Sequence, residues 1–170
     1  MSQDQGAQIA FCREEYPRLV GALTLYTGDR DLAVELAQEG LARACRHWRR
    51  VEKMRSPGAW VYRVAINLAN STFSRRRLER LARQRLGALA DPVMDAPDVV
   101  ALLAVRVAVA ALPGRQRTAI VLRYFADLPV REVARLMRVE EGTVKALTSQ
   151  GMENLRIALD AGDRSEVRDG

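Results

Sequence analysis

The sequence is poor in cysteine, histidine and long apolar runs, and each shortage excludes a class of protein. Two cysteines among 170 residues, Cys12 and Cys45, are too few for a disulfide framework or a four-cysteine zinc site. A single histidine, His47, and the lack of a glycine-rich phosphate loop give no support for an enzyme, a cofactor or a metal. No uncharged run approaches the ~18 residues of a membrane-spanning helix. The N-terminus also lacks the pattern of a secretory signal, so we expect a cytoplasmic protein without a membrane span.

Basic residues are concentrated in the middle of the chain. The net charge is +6, but residues 41–86 hold 13 basic and 2 acidic side chains, a net of +11, whereas residues 1–40 carry −4. Such a basic block attracts a polyanion, most often nucleic acid. The alternative is a solvated helix face with no ligand.

The apolar residues follow a helical period almost everywhere. The pattern predicts a helix over Ala7–Tyr26, a second that begins at Asp29 or Asp31, and a third that begins at Ser56-Pro57, a capping residue followed by proline at the first helical position. The third helix extends as far as Arg85 in this interpretation. No run alternates with period two for long enough to predict a strand, so the predicted fold class is all-α.

An acidic stretch rich in helix breakers divides the chain. Gly87, Pro92 and Pro97 alternate with aspartates, a composition typical of a linker, and a further helix is predicted over residues 99–111. We therefore predict two helical domains, residues 1–86 and 99–160, joined by a linker over 87–98. Residues 161–170 are predicted to form a flexible tail.

The last third of the chain contains two helical segments with a short turn between them. The first lies near Val130–Met137, the break falls at Arg138-Val139, and the second helix opens at Gly142-Thr143. This spacing is that of a helix-turn-helix, whose second helix enters a DNA major groove. An ordinary helical hairpin inside a bundle is the alternative. The side chains expected to face outward on the second helix are Lys145, Ala146, Ser149, Gln150, Glu153 and Arg156.

These residues resemble a known family. Leu112-Pro113, Gln116-Arg117, an apolar run that ends in Arg123-Tyr124, Glu132-Val133-Ala134 and Gly142 to Lys145 are similar to the promoter-binding C-terminal domain of extracytoplasmic-function sigma factors of RNA polymerase. The resemblance covers about residues 8–158, with both halves in the family's order.

The N-terminal half resembles the same family in two segments. The resemblance implies that the second helix binds core polymerase, at the β′ subunit, through Glu35, Leu36, Gln38 and Glu39. It also implies that the third helix melts and reads the promoter −10 element. The residues assigned to the −10 element are Trp60, Arg63, Asn67, Asn70, Ser74, Arg75, Arg76 and Arg77.

The spacing on the third helix is consistent with that implied role. Arg63, Asn67, Asn70, Ser74 and Arg77 recur at steps of three and four residues and therefore share the face opposite the apolar stripe. Asparagines offer donors and acceptors to base edges, and arginines suit phosphates. Trp60 lies at the border of this face, where we interpret it as a packed anchor rather than a base-stacking wedge.

The second helix of the helix-turn-helix departs from the family pattern. Glu140 stands where the family has a serine cap, Ala146-Leu147 replaces Ser-Arg, and Gln150 replaces an arginine. We therefore expect weak or unusual contacts to the −35 element. The residues assigned to these contacts are Thr143, Lys145, Ser149, Gln150 and Arg156.

The sequence thus favours an alternative sigma factor that binds core RNA polymerase, at its β′ and β subunits, and directs promoter-specific initiation. An anti-sigma protein is a further partner that the resemblance suggests. The alternative hypothesis is a stand-alone helix-turn-helix regulator, which would bind duplex DNA as a dimer and need no docking face on the second helix.

Overall fold

A computed structural model of the chain describes residues 3–85 and 100–166. Every regular element in these two ranges is helical, which confirms the predicted all-α class. The elements are α1 (Gln3–Thr27), α2 (Arg30–Arg46), α3 (Trp48–Val51), α4 (Pro57–Arg85), α5 (Val100–Ala111), α6 (Gly114–Ile120), a π-helical segment (Val121–Phe125), α7 (Val130–Met137) and α8 (Glu141–Glu166).

The first half, residues 3–85, packs α2 and α4 against α1. Gly28, at φ +73°, ends α1 in a left-handed conformation that glycine adopts without steric cost. Asp29 then caps α2, because its carboxylate accepts a hydrogen bond from the Leu32 amide at 3.0 Å. Ala33, Ala37, Leu41 and Ala44 form a buried apolar stripe on α2 that Trp48 of α3 continues, and each of these residues is at most 9% exposed.

The second half, residues 100–166, contains the predicted helix-turn-helix. Arg138 lies at the turn between α7 and α8, with φ +56°, a left-handed conformation that is uncommon outside glycine. Val144 is fully buried, and the side chains predicted to face outward from α8 are exposed. These features confirm the helix-turn-helix geometry.

Three elements and two boundaries differ from the sequence-based interpretation. The short helix α3 was not indicated, and α1 begins at Gln3 and not at Ala7. The sequence did not indicate α6 or the π-helical segment, because the four residues at their junction, 119–122, are all buried and interrupt the amphipathic period. The predicted flexible tail begins at residue 161, whereas α8 continues to Glu166. The predicted linker over residues 87–98 lies outside the described ranges.

The two halves pack against each other in this structure. Helix α1 contacts both α5 and the π-helical segment, and α4 contacts α7. One cluster of buried residues includes Leu23 and Val61 from the first half and Val109 and Val121 from the second. The proposed division into domains at residues 86 and 99 stays a prediction.

Gly151 of α8 packs tightly against Ile120 of α6. A Cβ at this position would lie 2.9 Å from Ile120 Cγ1, and Ile120 is 1% exposed, so this side chain would have to shift within the core. We expect Gly151→Ala to destabilise the second half, since overpacking costs about 1–3 kcal/mol and the gain in helix propensity is about 1 kcal/mol. Gly142→Ala is the matched control in the same helix, because a Cβ there would meet open space and should leave stability unchanged or raised. Thermal unfolding of the two variants tests this; a Gly151→Ala protein as stable as Gly142→Ala would contradict the packing described.

Candidate nucleic-acid interface

The outer face of α4 carries the side chains that the sequence predicts for −10 recognition. Asn67, Asn70 and Ser74 are exposed, and Arg63 is half-buried. The Tyr26 hydroxyl donates a hydrogen bond to Asn70 Oδ1 at 2.7 Å, so this amide oxygen has a partner within the protein. The face is polar as predicted, but one of its two asparagines is engaged by α1.

The C-terminal part of this face is strongly basic. Arg75 and Arg76 are exposed, and Arg76 Nη1 lies 3.8 Å from Asp29 Oδ2 in a solvent-exposed ion pair. Such pairs contribute little to stability, so Arg76 is free to exchange this partner for a phosphate. The Arg77 side chain lies outside the described side chains. Trp60 is half-buried and packs against the core, which agrees with the anchor interpretation.

A cleft of about 550 Å³ lies between the outer face of α4 and the second half of the chain. Three arginines, Arg63 from α4, Arg115 from α6 and Arg138 from the helix-turn-helix, line it together with Asn67 and Asn70. Arg115 and Arg138 were not selected from the sequence. Nothing in their local pattern distinguishes them, because only the packing of the two halves brings them opposite α4.

The outer face of α8 is nearly neutral despite its arginine. Lys145, Ser149 and Gln150 are exposed, and Thr143 is half-buried. Arg156 pairs with Glu153 at 2.7 Å and with Asp160 at 3.1 Å, and hydrogen bonding to Glu153 raises the pKa of Arg156. Lys145 is thus a cation on this face that no described carboxylate engages. The weak −35 contacts expected from the sequence stay a prediction.

The acidic face of α2 differs in detail from the predicted docking site. Glu35 and Gln38 are exposed. Glu39 accepts hydrogen bonds from Arg43 at 2.7 Å and from Arg46 at 3.1 Å, and the Arg43 guanidinium lowers the pKa of Glu39. Leu36 is 6% exposed and belongs to the core, so in this conformation it supports the face from beneath and does not reach a partner. Leu36 directly precedes Ala37 in the apolar period of the helix, and this position already indicated that the Leu36 side chain would be buried.

The two cysteines and the histidine lie at or near the contact between α1 and α2. Cys12 Sγ and Cys45 Sγ lie 3.5 Å apart as free thiols between α1 and α2, and burial raises the pKa of Cys12 to about 11. His47 is exposed at the end of α2. Among the side chains that the structure describes, no group of three His, Cys, Asp or Glu is placed to hold a metal ion. None of the described helices is both long enough and apolar enough to cross a membrane.

Comparisons with known proteins match both halves. The family model for sigma-70 region 2 matches residues 11–79, and that for sigma-70 region 4 matches residues 102–155. The RNA polymerase sigma-E factor of Streptomyces coelicolor is 31% identical over 132 residues, which cover 77% of this chain and 73% of that protein. The ECF RNA polymerase sigma factor SigW of Bacillus subtilis is 27% identical over 140 residues, 75% of each chain. The chain spans only 40% of a longer uncharacterized relative from Rhizobium meliloti, with 31% identity over 168 residues.

A solved structure shares the fold. The sigma factor RpoE of Bartonella quintana, determined in complex with the anti-sigma factor NepR, superposes with a TM-score of 0.74 at 21% identity. The match covers 94% of this chain and 98% of that one.

A helix-turn-helix half beside a helical half with a basic, amide-rich face is typical of DNA-binding transcription factors. The models for sigma-70 region 2 and region 4 match in that order along the chain, and together they identify the family. The chain belongs to the sigma-70 family of RNA polymerase sigma factors, in the extracytoplasmic-function group.

Proposed function

We propose that this chain is an alternative sigma factor that binds core RNA polymerase through α2, holds the −10 strand on α4 and contacts the −35 element through α8. As a binding subunit in the cytoplasm, it determines which promoters the polymerase uses. The polymerase itself performs the chemistry. The observation that carries this proposal is the placement of an acidic exposed surface on α2 and a basic, amide-rich surface on α4 within one bundle.

The α4 face has the chemistry that an opened strand requires. Holding unpaired DNA needs cations that follow the phosphates and groups that accept base edges. Arg63, Arg75 and Arg76 supply the cations, and Asn67 supplies an exposed amide with both a donor and an acceptor. The α8 face, with Lys145 as its unengaged cation, is suited to a supporting role.

The α2 face fits a protein rather than DNA. Glu35 is exposed, and Glu39 carries a lowered pKa and therefore stays charged at neutral pH. A DNA phosphate would be repelled by these carboxylates, whereas a basic surface of the polymerase β′ subunit would be attracted. In a stand-alone helix-turn-helix regulator, this acidic surface of α2 would have no binding partner. An anti-sigma protein, as in the Bartonella complex, is a further partner that we propose for this chain.

Dependence on the polymerase distinguishes the two hypotheses. We expect the isolated protein to bind promoter duplex weakly, because the α4 face requires unpaired DNA and the α8 face has few cations. Fluorescence anisotropy with labelled promoter duplex, with and without core polymerase, provides the measurement, and a scrambled duplex is the control. Tight and sequence-specific duplex binding by the isolated protein would overturn the proposal in favour of the regulator.

A further inference from the structure

Two free thiols lie in contact where α1 packs against the C-terminal end of α2. Cys12 Sγ and Cys45 Sγ are 3.5 Å apart, close enough for one thiol to donate a hydrogen bond to the other. Both residues are half-buried, and they stand 33 positions apart in the sequence. A disulfide bond has an S–S length of about 2.05 Å, so a small approach of the two sulfurs would join them. The fold therefore contains a dithiol pair that the proposed function does not use.

Neighbouring contacts hold the two thiols in this position. The Gln8 side-chain amide donates a hydrogen bond to the Cys45 carbonyl oxygen at 2.9 Å, which connects α1 to the end of α2. The Phe11 ring, next to Cys12 in the chain, lies 5.2 Å from the Trp48 ring of α3, within the range of favourable aromatic pairs. The two sulfurs are thus placed together before any reaction, which favours a bond between them over a bond to another molecule.

A basic surface pocket of about 600 Å³ lies beside Cys45. Of its cations, Arg46 pairs with Glu39 at 3.1 Å, whereas no described carboxylate pairs with Arg49 or Arg50. Among the described residues that line the pocket, none is acidic, so it attracts a small anion and brings it beside Cys45. The lining residues are Gln5, Gln8, Cys45, Arg46, His47, Trp48, Arg49 and Arg50.

The two thiols differ in what they can do. Burial raises the pKa of Cys12 to about 11, and the neighbouring Cys45 sulfur adds to the rise. Cys12 therefore keeps its proton at neutral pH, whereas the attack on a disulfide is made by a thiolate. Cys45 forms part of the pocket wall, so it is the sulfur that a small reagent reaches first.

We propose that Cys45 and Cys12 form a reversible disulfide site whose substrate is a small anionic disulfide of the glutathione type. Cys45 Sγ, as the thiolate, attacks one sulfur of this molecule and breaks its S–S bond, and the first small thiol leaves with a proton. Cys12 Sγ then loses its proton and attacks Cys45 Sγ, which forms the internal disulfide and releases the second small thiol. The pair gives up two electrons and two protons, and the small disulfide becomes two thiols.

The reaction makes the stability of the first half depend on the redox state of the cell. Thiol pools keep such a pair reduced in the cytoplasm that we propose for this chain, so the bond forms only when the ratio of small disulfide to small thiol rises. The bond joins α1 to α2, the helix that carries the proposed docking surface, and closes a loop of the chain. The inference concerns the thiol pair alone and does not depend on the proposed function.

The first test records the product formed by the full chain with glutathione disulfide at neutral pH. We expect the intact mass to fall by two hydrogen atoms, Tm to rise by about 5–10 °C, and a reductant to reverse both changes. Cys12→Ser should stop at the mixed disulfide on Cys45, and Cys45→Ser should react far more slowly. Disulfide-linked dimers, an unsubstituted chain that stops at the mixed disulfide, or a Cys45→Ser chain that reacts at the unsubstituted rate would overturn the site.

The second test asks whether the pocket selects an anionic substrate. Rates are measured with glutathione disulfide and with the cationic disulfide cystamine, each divided by its rate with free cysteine. We expect a preference of about tenfold for glutathione disulfide, which Arg49→Gln with Arg50→Gln should largely remove. Arg30→Gln with Arg131→Gln is the matched control, because both arginines are exposed away from this pocket. No preference for glutathione disulfide, or equal loss of it in the control variant, would show that the pocket does not bind the substrate.

Discussion

Alanine substitution of Arg75, Arg76 and Arg77 together is expected to reduce promoter opening by the holoenzyme to background. These residues form the densest part of the +11 block, and Arg75 and Arg76 are exposed beside the amide face of α4. Each lost phosphate contact should make the salt dependence of binding shallower by roughly one unit. Permanganate reactivity of −10 thymines, measured across a salt series, records both effects.

Two comparison variants remove basic charge from other surfaces. Arg13, Arg49 and Arg50 are exposed on α1 and α3, and their triple alanine variant should retain most of the thymine reactivity. Lys145→Ala should cost about 1–3 kcal/mol of binding if the side chain reads a base and less if it touches phosphate only. Loss of melting in Lys145→Ala together with normal melting in the Arg75–Arg77 variant would show that α8, not α4, is the dominant surface.

Charge reversal at Glu35 and Glu39 is expected to remove most of the co-purification with core polymerase. Both carboxylates lie on the α2 surface, and lysines there would repel the basic partner surface that we propose. The change also ends the pairing of Glu39 with Arg43 and Arg46, which are surface ion pairs of small value to stability, so the helical fold should be retained. Pull-down with tagged core polymerase, together with circular dichroism, gives both readouts.

Reversal at Glu14 and Glu52 is the matched control for that experiment. Glu14 is exposed and has its own i,i+4 arginine partner, Arg18, so the variant removes comparable charge from the same bundle. It should co-purify normally. An unchanged pull-down of the Glu35/Glu39 variant would remove the main support for a docking surface on α2.

Local signals in the sequence predicted most of the helices and both polar faces. Gly28 followed by Asp29, and Ser56 followed by Pro57, mark helix ends by backbone conformation and capping, which depend on adjacent residues alone. The period of α4 placed Asn67, Asn70 and Ser74 on one exposed face for the same reason.

Features that depend on tertiary contact could not be predicted in this way. Arg117 was noted only as part of a family motif, and its contacts with Tyr26 and Phe73 join residues more than forty positions apart. Arg115 and Arg138 reach the cleft by the same packing. The pairing of Arg156 is different, since Glu153 and Asp160 stand three and four residues away and the helical spacing already indicates it.

The most direct test of the whole account is run-off transcription with purified core polymerase and fragments of genomic DNA. The chain should give discrete transcripts that core polymerase alone does not, and the Arg75–Arg77 and Glu35/Glu39 variants should lose them while the two control variants retain them. Transcripts that do not depend on the added chain, or that survive both substitutions of the proposed surfaces, would contradict it.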